Sequence, residues 1–250
     1  MHTTHNPSSI THNPAAEKHA FSSKERDVET GLSYFGARYY SSDLSLWLCV
    51  DPNEEEIGDF FDLKGRYLGT DGHDDRNVFI VTNIRDQRIT KRNNKKELTT
   101  QPSEVDVTLS TTIDVLRETC DVYERTVNNG GDREEASTFD DNGNQIRYPT
   151  GSTTVDISVT GQVSIHSHLL NFIVGDDGSK DNIQTPSVLS QDDKSAFIGY
   201  GLNIVVGKSN CNEEVYGCYR EPQAVFYNSQ SMEILSMDLN SVYNIVGHKR

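Results

Sequence analysis

Ile165-His166-Ser167-His168 sets two imidazoles two residues apart, and Pro186-Ser187-Val188-Leu189-Ser190-Gln191-Asp192-Asp193 follows with a hydroxyl and an acid. In an extended strand alternate side chains share a face, so His166 and His168 emerge together and can grip one metal ion. Asp193 stands just ahead of the apolar Ala196, Phe197 and Ile198. Ser190 therefore reads as the N-cap and Asp193 as the N3 residue of a short helix, the acid near the positive end of the helix dipole. A capping box accounts for that serine and acid without any metal. Two histidines and one carboxylate, with a fourth position left to water, are also the ligand set of a catalytic rather than a structural zinc. Hydrolysis at such a site needs a general base.

Glu134 and Glu135, in Gly130-Gly131-Asp132-Arg133-Glu134-Glu135-Ala136-Ser137-Thr138-Phe139, are the candidates. They precede the turn Asp140-Asp141-Asn142-Gly143-Asn144 and should lie on a short strand, where adjacent residues face opposite ways. One glutamate can then address the metal water while the other faces solvent. The elements that would position these groups are read from periodicity. Val155, Ile157 and Val159 alternate with polar residues, and the alternation resumes at Val163 and Ile165 after Thr160-Gly161, which predicts two half-buried strands. Thr111 can cap a helix with Asp114 at N3, its apolar stripe running Ile113, Leu116, Cys120, Tyr123 and Val127 up to Asn128-Asn129-Gly130-Gly131. Leu202-Asn203-Ile204-Val205-Val206 reads as a buried strand; Ala224–Tyr227 and Ile234–Met237 read as a closing pair around Asn228-Ser229-Gln230. The expected fold is α+β, one mixed sheet packed by a few helices.

The order Glu, then His-x-His, then Ser-x-x-Asp resembles the JAMM (JAB/MPN-type) zinc metalloproteases, over about residues 103–250. The resemblance implies a JAMM/MPN-like sandwich, a cytidine-deaminase-like architecture, that hydrolyses peptide or isopeptide bonds of a protein substrate. It implies Zn2+ held by His166, His168 and Asp193, with Ser190 stabilising the oxyanion and Glu134 as the base. Glu134 is preferred to Glu135 because Glu134-Glu135-Ala136-Ser137 resembles the Glu-x-Gly-Gly start of bacterial relatives; Glu135 is the alternative base. Leu169 stands where the family usually has proline, and the loop Asn171–Gln184 is longer than the family's spacing. Its Asp176, Asp177 and Asp181 are alternative third ligands. Some members of this fold bind partners without metal or catalysis, which gives the alternative function: a metal-free protein-binding module. A deaminase site would want Pro-Cys-x-x-Cys, and the chain has none.

A second resemblance lies upstream. Glu25 to Tyr40, with Gly31-Leu32-Ser33-Tyr34-Phe35-Gly36-Ala37-Arg38-Tyr39-Tyr40, running on to Asp51-Pro52, is similar to the RHS-repeat-associated core of bacterial polymorphic toxins. It implies that the residues after about Pro52 are the toxin tip, partnered by a cognate immunity protein and exported by a dedicated secretion system into a target cell. The expected organisation is a disordered tail over 1–23, the RHS-like fragment over 24–52, short strands and a basic linker over 53–102, and the JAMM-like domain over 103–250. Within the linker, Arg85–Gln101 holds Lys91-Arg92-Asn93-Asn94-Lys95-Lys96.

Composition sets the outer limits. With 250 residues, 34% apolar, and a net charge of -15, the chain suits one modest domain with polar flanks and disfavours nucleic acid, whose phosphates need a basic surface. No run approaches a membrane span and no start resembles a signal peptide. His2, His5, His12 and His19 are too loosely spaced for a metal site, and Cys211 and Cys218 read either as a loop disulfide or as two free thiols.

Overall fold

The computed structural model describes residues 25–26, 33–34, 39–41, 46–47, 58–73, 75–151, 157, 160–171, 173–174, 180–181, 185–209 and 221–248. The 1–23 tail, Val155 and Val159, the acids Asp176 and Asp177, and the pair Cys211 and Cys218 lie outside the described residues. Two compact units divide the chain, Met1–Glu54 and Glu55–Arg250. In the first, β1 (Glu25–Arg26), β2 (Ser33–Tyr34), β3 (Tyr39–Ser41) and β4 (Leu46–Trp47) pair in order as an antiparallel sheet, with Tyr40 opposite Trp47.

The second unit carries two mixed sheets. One has the order β6-β5-β7-β8, from β5 (Asp59–Phe61), β6 (Tyr67–Thr70), β7 (Asn77–Ile80) and β8 (Leu109–Thr112). Phe60, Leu68, Phe79, Val81 and Val105 form its core, the Phe60 and Phe79 rings 4.9 Å apart. The stretch expected to be an exposed basic linker is instead largely helix α1 (Ile84–Asn94), packed on β6. Asn83 caps it by accepting the Arg85 N–H at 2.9 Å, Asp86 and Lys91-Arg92 match the two ends of its dipole, and its buried Thr90 lies where Gly69 of β6 has no side chain. Ile89 of the helix packs against the core as well, but with Thr90 as the one fully buried position apolar periodicity misses such a helix.

The second sheet has the order β10-β9-β11-β14-β15-β16. Its members are β9 (Ala136–Phe139), β10 (Gln145–Arg147), β11 (Gly161–Ser167), β14 (Tyr200–Lys208), β15 (Pro222–Asn228) and β16 (Glu233–Asp238). Within it only β11 and β14 run parallel, which demands a crossover; that crossover contains the small pair β12 (Ile173–Val174) and β13 (Lys180–Asp181) and helix α3 (Gln191–Phe197). Ile204, Val205 and Val206 are all fully buried, so β14 is covered on both faces, as its continuous apolar run predicts.

One face is covered by α2 (Ile113–Asn128), which packs with α4 (Leu239–Val246). α2 starts one residue later than expected. Thr112, not Thr111, is the N-cap and accepts from Val115 N–H, while Thr111 belongs to β8. The buried side of α2 is also rotated from the expected stripe. Leu116 and Cys120 are inside, but Val127 is exposed and Val115, Glu118, Thr119, Val122 and Thr126 are buried instead. α4, which the sequence reading did not anticipate, is capped by Asp238 and buries Leu239, Val242, Ile245 and Val246. The unit is thus α+β, with a mixed sheet between helices as expected and a second mixed sheet in addition. Among the described residues no helix is long and apolar enough to cross a membrane.

Candidate metal centre

β11 delivers His166, His168 follows one residue past its end with its N–H still donating to Val206 O at 2.8 Å, and α3 carries the acid. Strand alternation puts His166 and His168 on one face, with rings 5.3 Å apart and Ser167 between them on the other. On their face, Phe197 of α3 packs with Val205, Val225, Tyr227 and Leu189, and its ring lies 6.0 Å from that of His166. This contact seats α3 so that its first turn meets the strand. The capping box forms as the sequence predicts: Ser190 Oγ accepts the Asp193 N–H at 3.0 Å, and Asp193 Oδ2 accepts the Ser190 N–H at 2.7 Å. The same carboxylate faces both imidazoles, Oδ1 at 3.2 Å from His166 Nε2 and Oδ2 at 3.5 Å from His168 Nε2.

The residues fit a metal ion. One donor atom from each of His166, His168 and Asp193 lies within 4.8 Å of the others. Both Nε2 atoms are buried and face the Asp193 carboxylate without the geometry of a good hydrogen bond. Two buried nitrogens and one carboxylate converging on a point mark a place for a cation. The protonation states suit the task. Burial pushes the His166 pKa below its ordinary value, outweighing the opposing pull of Asp193, so the ring is neutral and its lone pair available. Burial alone would raise the Asp193 pKa; contacts with His166 and His168 outweigh it and hold the carboxyl below the usual carboxylate range. Asp193 meets both imidazoles, which gives it the third place in the set.

The two glutamates stand just ahead of β9. His166 pairs with Ala136 across the β11–β9 ladder, and the next step is made by Ser167 N–H donating to Glu135 O at 2.9 Å. Glu134 lies two residues before β9 begins and is buried. Glu135, next to it, does not face solvent as expected. It is 5% exposed, accepts from Asn129 Nδ2 at 2.9 Å and Thr150 Oγ1 at 2.7 Å, and lies 3.6 Å from Arg125.

Sequence reasoning missed two sets of residues. Behind the sheet, buried Glu118 of α2 receives the Ser137 hydroxyl at 2.6 Å and Arg147 at 2.9 Å, with Arg125 at 3.4 Å. The signal for it was a single acid on the inner side of α2, which an apolar stripe cannot reveal. In front, His168 Nδ1 meets the Thr185 carbonyl at 3.1 Å, and Tyr227 donates to the Pro186 carbonyl at 2.6 Å. A tyrosine alternating with Val225 on a buried strand was the available hint, since a buried phenol needs a partner. No protein-family model, no curated protein and no solved structure matches the chain.

Proposed function

We propose that the chain is a zinc-dependent peptidase or isopeptidase of JAMM type, acting as the effector tip of an RHS-type bacterial toxin. The observation that carries this reading is the convergence of the buried His166 and His168 Nε2 atoms on the Asp193 carboxylate, at 3.2 and 3.5 Å. His166, His168 and Asp193 would hold the ion, which when bound supplies a Lewis acid that polarises the scissile carbonyl and acidifies water.

The chain's own residues do the rest. Glu134, which is buried, takes the proton of the attacking water on its carboxylate and passes it to the leaving amine. Ser190 Oγ accepts the Asp193 N–H, which leaves its own hydroxyl proton to donate to the developing oxyanion. Phe197 beside His166 and Thr185 beside His168 keep the imidazoles in place and limit water around them.

The test incubates the zinc-loaded full chain with a bacterial lysate and counts newly exposed α-amines and lysine ε-amines by mass spectrometry. Wild type should generate them, while Glu134→Gln should retain one zinc and generate none. If a wild-type chain that holds one zinc yields no more new amines than Glu134→Gln, the peptidase reading fails.

A further inference from the structure

The Thr185 carbonyl carries two contacts. It accepts the Val188 N–H at 3.0 Å, closing the turn over residues 185–188, and it faces His168 Nδ1 at 3.1 Å. A carbonyl has no proton to give and can only accept, so this contact directs Nδ1 at the turn and Nε2 at Asp193. The orientation of the His168 ring thus depends on where the turn holds one oxygen. Within the turn Thr185 Oγ1 also lies 3.2 Å from Ser187 Oγ, and the segment is clamped from the sheet as well.

Tyr227 of β15 is 3% exposed, its ring 5.6 Å from that of Phe197, and its hydroxyl donates to the Pro186 carbonyl at 2.6 Å. On β14, Gly207 leaves the backbone bare where the proline ring rests: a Cβ there would lie 3.0 Å from Pro186 Cγ and 3.2 Å from Cδ. The turn is therefore tied at its second residue by one hydroxyl and seated against one glycine. The same segment runs on through Leu189 to Ser190, the cap of the helix that carries Asp193.

We propose that Tyr227 is a positioning residue of this centre: by tying Pro186 to β15 it holds the Thr185 carbonyl where it orients the His168 ring. Its role in metal binding rests on the reading of His166, His168 and Asp193 as ligands, whereas its hold on the ring also belongs to the metal-free chain. Outer partners of ligating histidines change metal affinity by about 10–100-fold when lost, and Tyr227 acts one residue beyond such a partner.

The experiment compares full-length wild type, Tyr227→Phe and Gly207→Ala. Nuclear Overhauser contacts between the His168 ring and residues 185–188 are recorded on chelator-treated protein, and zinc affinity is measured by competition with a chromophoric chelator. Wild-type His168 should show strong contacts to the turn. Both variants should weaken those contacts and weaken zinc by about tenfold, the lower end for a lost outer partner. A Tyr227→Phe protein that keeps the wild-type ring contacts and binds zinc within about twofold of wild type would overturn the proposal; so would a lowered Tm with both readouts unmoved, since that is mere packing. A wild type that binds no zinc would sink the metal reading alone, and the comparison of ring contacts would still decide for or against Tyr227.

Discussion

Ser190 and Asp193 form a capping box, which by itself explains their spacing, so the decisive perturbation must separate a cap from a ligand. Ser190→Ala deletes the oxygen that accepts the Asp193 N–H at 3.0 Å. Loss of such a cap costs about 1 kcal/mol, roughly 2–4 °C in Tm for a domain of this size, yet it leaves the carboxylate in place. Asp193→Asn does the reverse. Its amide oxygen can still accept the Ser190 N–H that Oδ2 takes at 2.7 Å, so the cap largely survives, but the charge facing both imidazoles is gone. A lost ligand should weaken zinc at least as much as the about 100-fold of a severe outer-shell loss. Zinc at about 100 times the wild-type Kd stabilises wild type by about 2.7 kcal/mol, roughly 5–11 °C. The same zinc concentration equals the Kd of Asp193→Asn and adds only about 0.4 kcal/mol, roughly 1–2 °C. Calorimetric scans of chelator-treated protein with and without zinc measure both shifts. An Asp193→Asn protein with the full zinc shift, or a Ser190→Ala protein without one, would refute the assignment of Asp193 as ligand.

Glu118→Gln leaves Arg125 and Arg147 short of a partner around a buried position; discounting the half-exposed Arg147, it should cost about 2–4 kcal/mol and lower Tm by roughly 5–10 °C while leaving the zinc shift intact, and a Tm within about 2 °C of wild type would contradict the network. Acidification should destabilise the metal-free chain through His166: its folded-state pKa is depressed, so its contribution is present above the ordinary value of about 6.5 and is lost as pH falls through that value. Between about pH 7.5 and 5 the Tm of wild type should therefore fall more than that of His166→Ala, and equal changes would count against the buried neutral ring. Production of the full chain in a bacterial cytosol should arrest growth, whereas the His166→Ala chain should not; unimpaired growth with soluble, zinc-loaded wild type would remove the toxin reading.

The His-His-Asp group was legible because its parts are local. His166 and His168 needed only strand alternation, and Ser190 with Asp193 needed only the grammar of a helix start, so short-range rules sufficed. The buried run of β14 and the pair β15–β16 were legible for the same reason. α1 and part of the inner face of α2 were not, because their buried positions include Thr90, Glu118, Thr119 and Thr126, polar groups satisfied by partners far along the chain or by the helix's own carbonyls. A hydropathy pattern scores such residues as solvent-facing. Tyr227 and Thr185 were illegible on a further ground: their bond partners, Pro186 and His168, are fixed by the β11–β14 crossover, which no periodicity encodes.

The register of β9 against β11 is held from the far side of the sheet. The period of a strand is two, so a slip of β9 by one residue would exchange its two faces. The polar contacts behind it oppose such a slip. Ser167 Oγ, lying between the two histidines but on the far face, accepts the Glu135 N–H at 2.9 Å and sits 2.7 Å from Thr126 Oγ1 of α2. Further along, Ser137 is bonded to Glu118 and Arg125, while the Glu135 carboxylate is taken by Asn129 and Thr150. The bonds made by Glu135 and Ser137 would break in the slipped register, and Ala136, the small residue paired with His166, would give way to a larger neighbour. The polar residues that look out of place under α2 therefore act as a register key for β9, the strand beside His166. Substitutions among them that leave every proposed zinc ligand intact can still shift what stands next to that histidine.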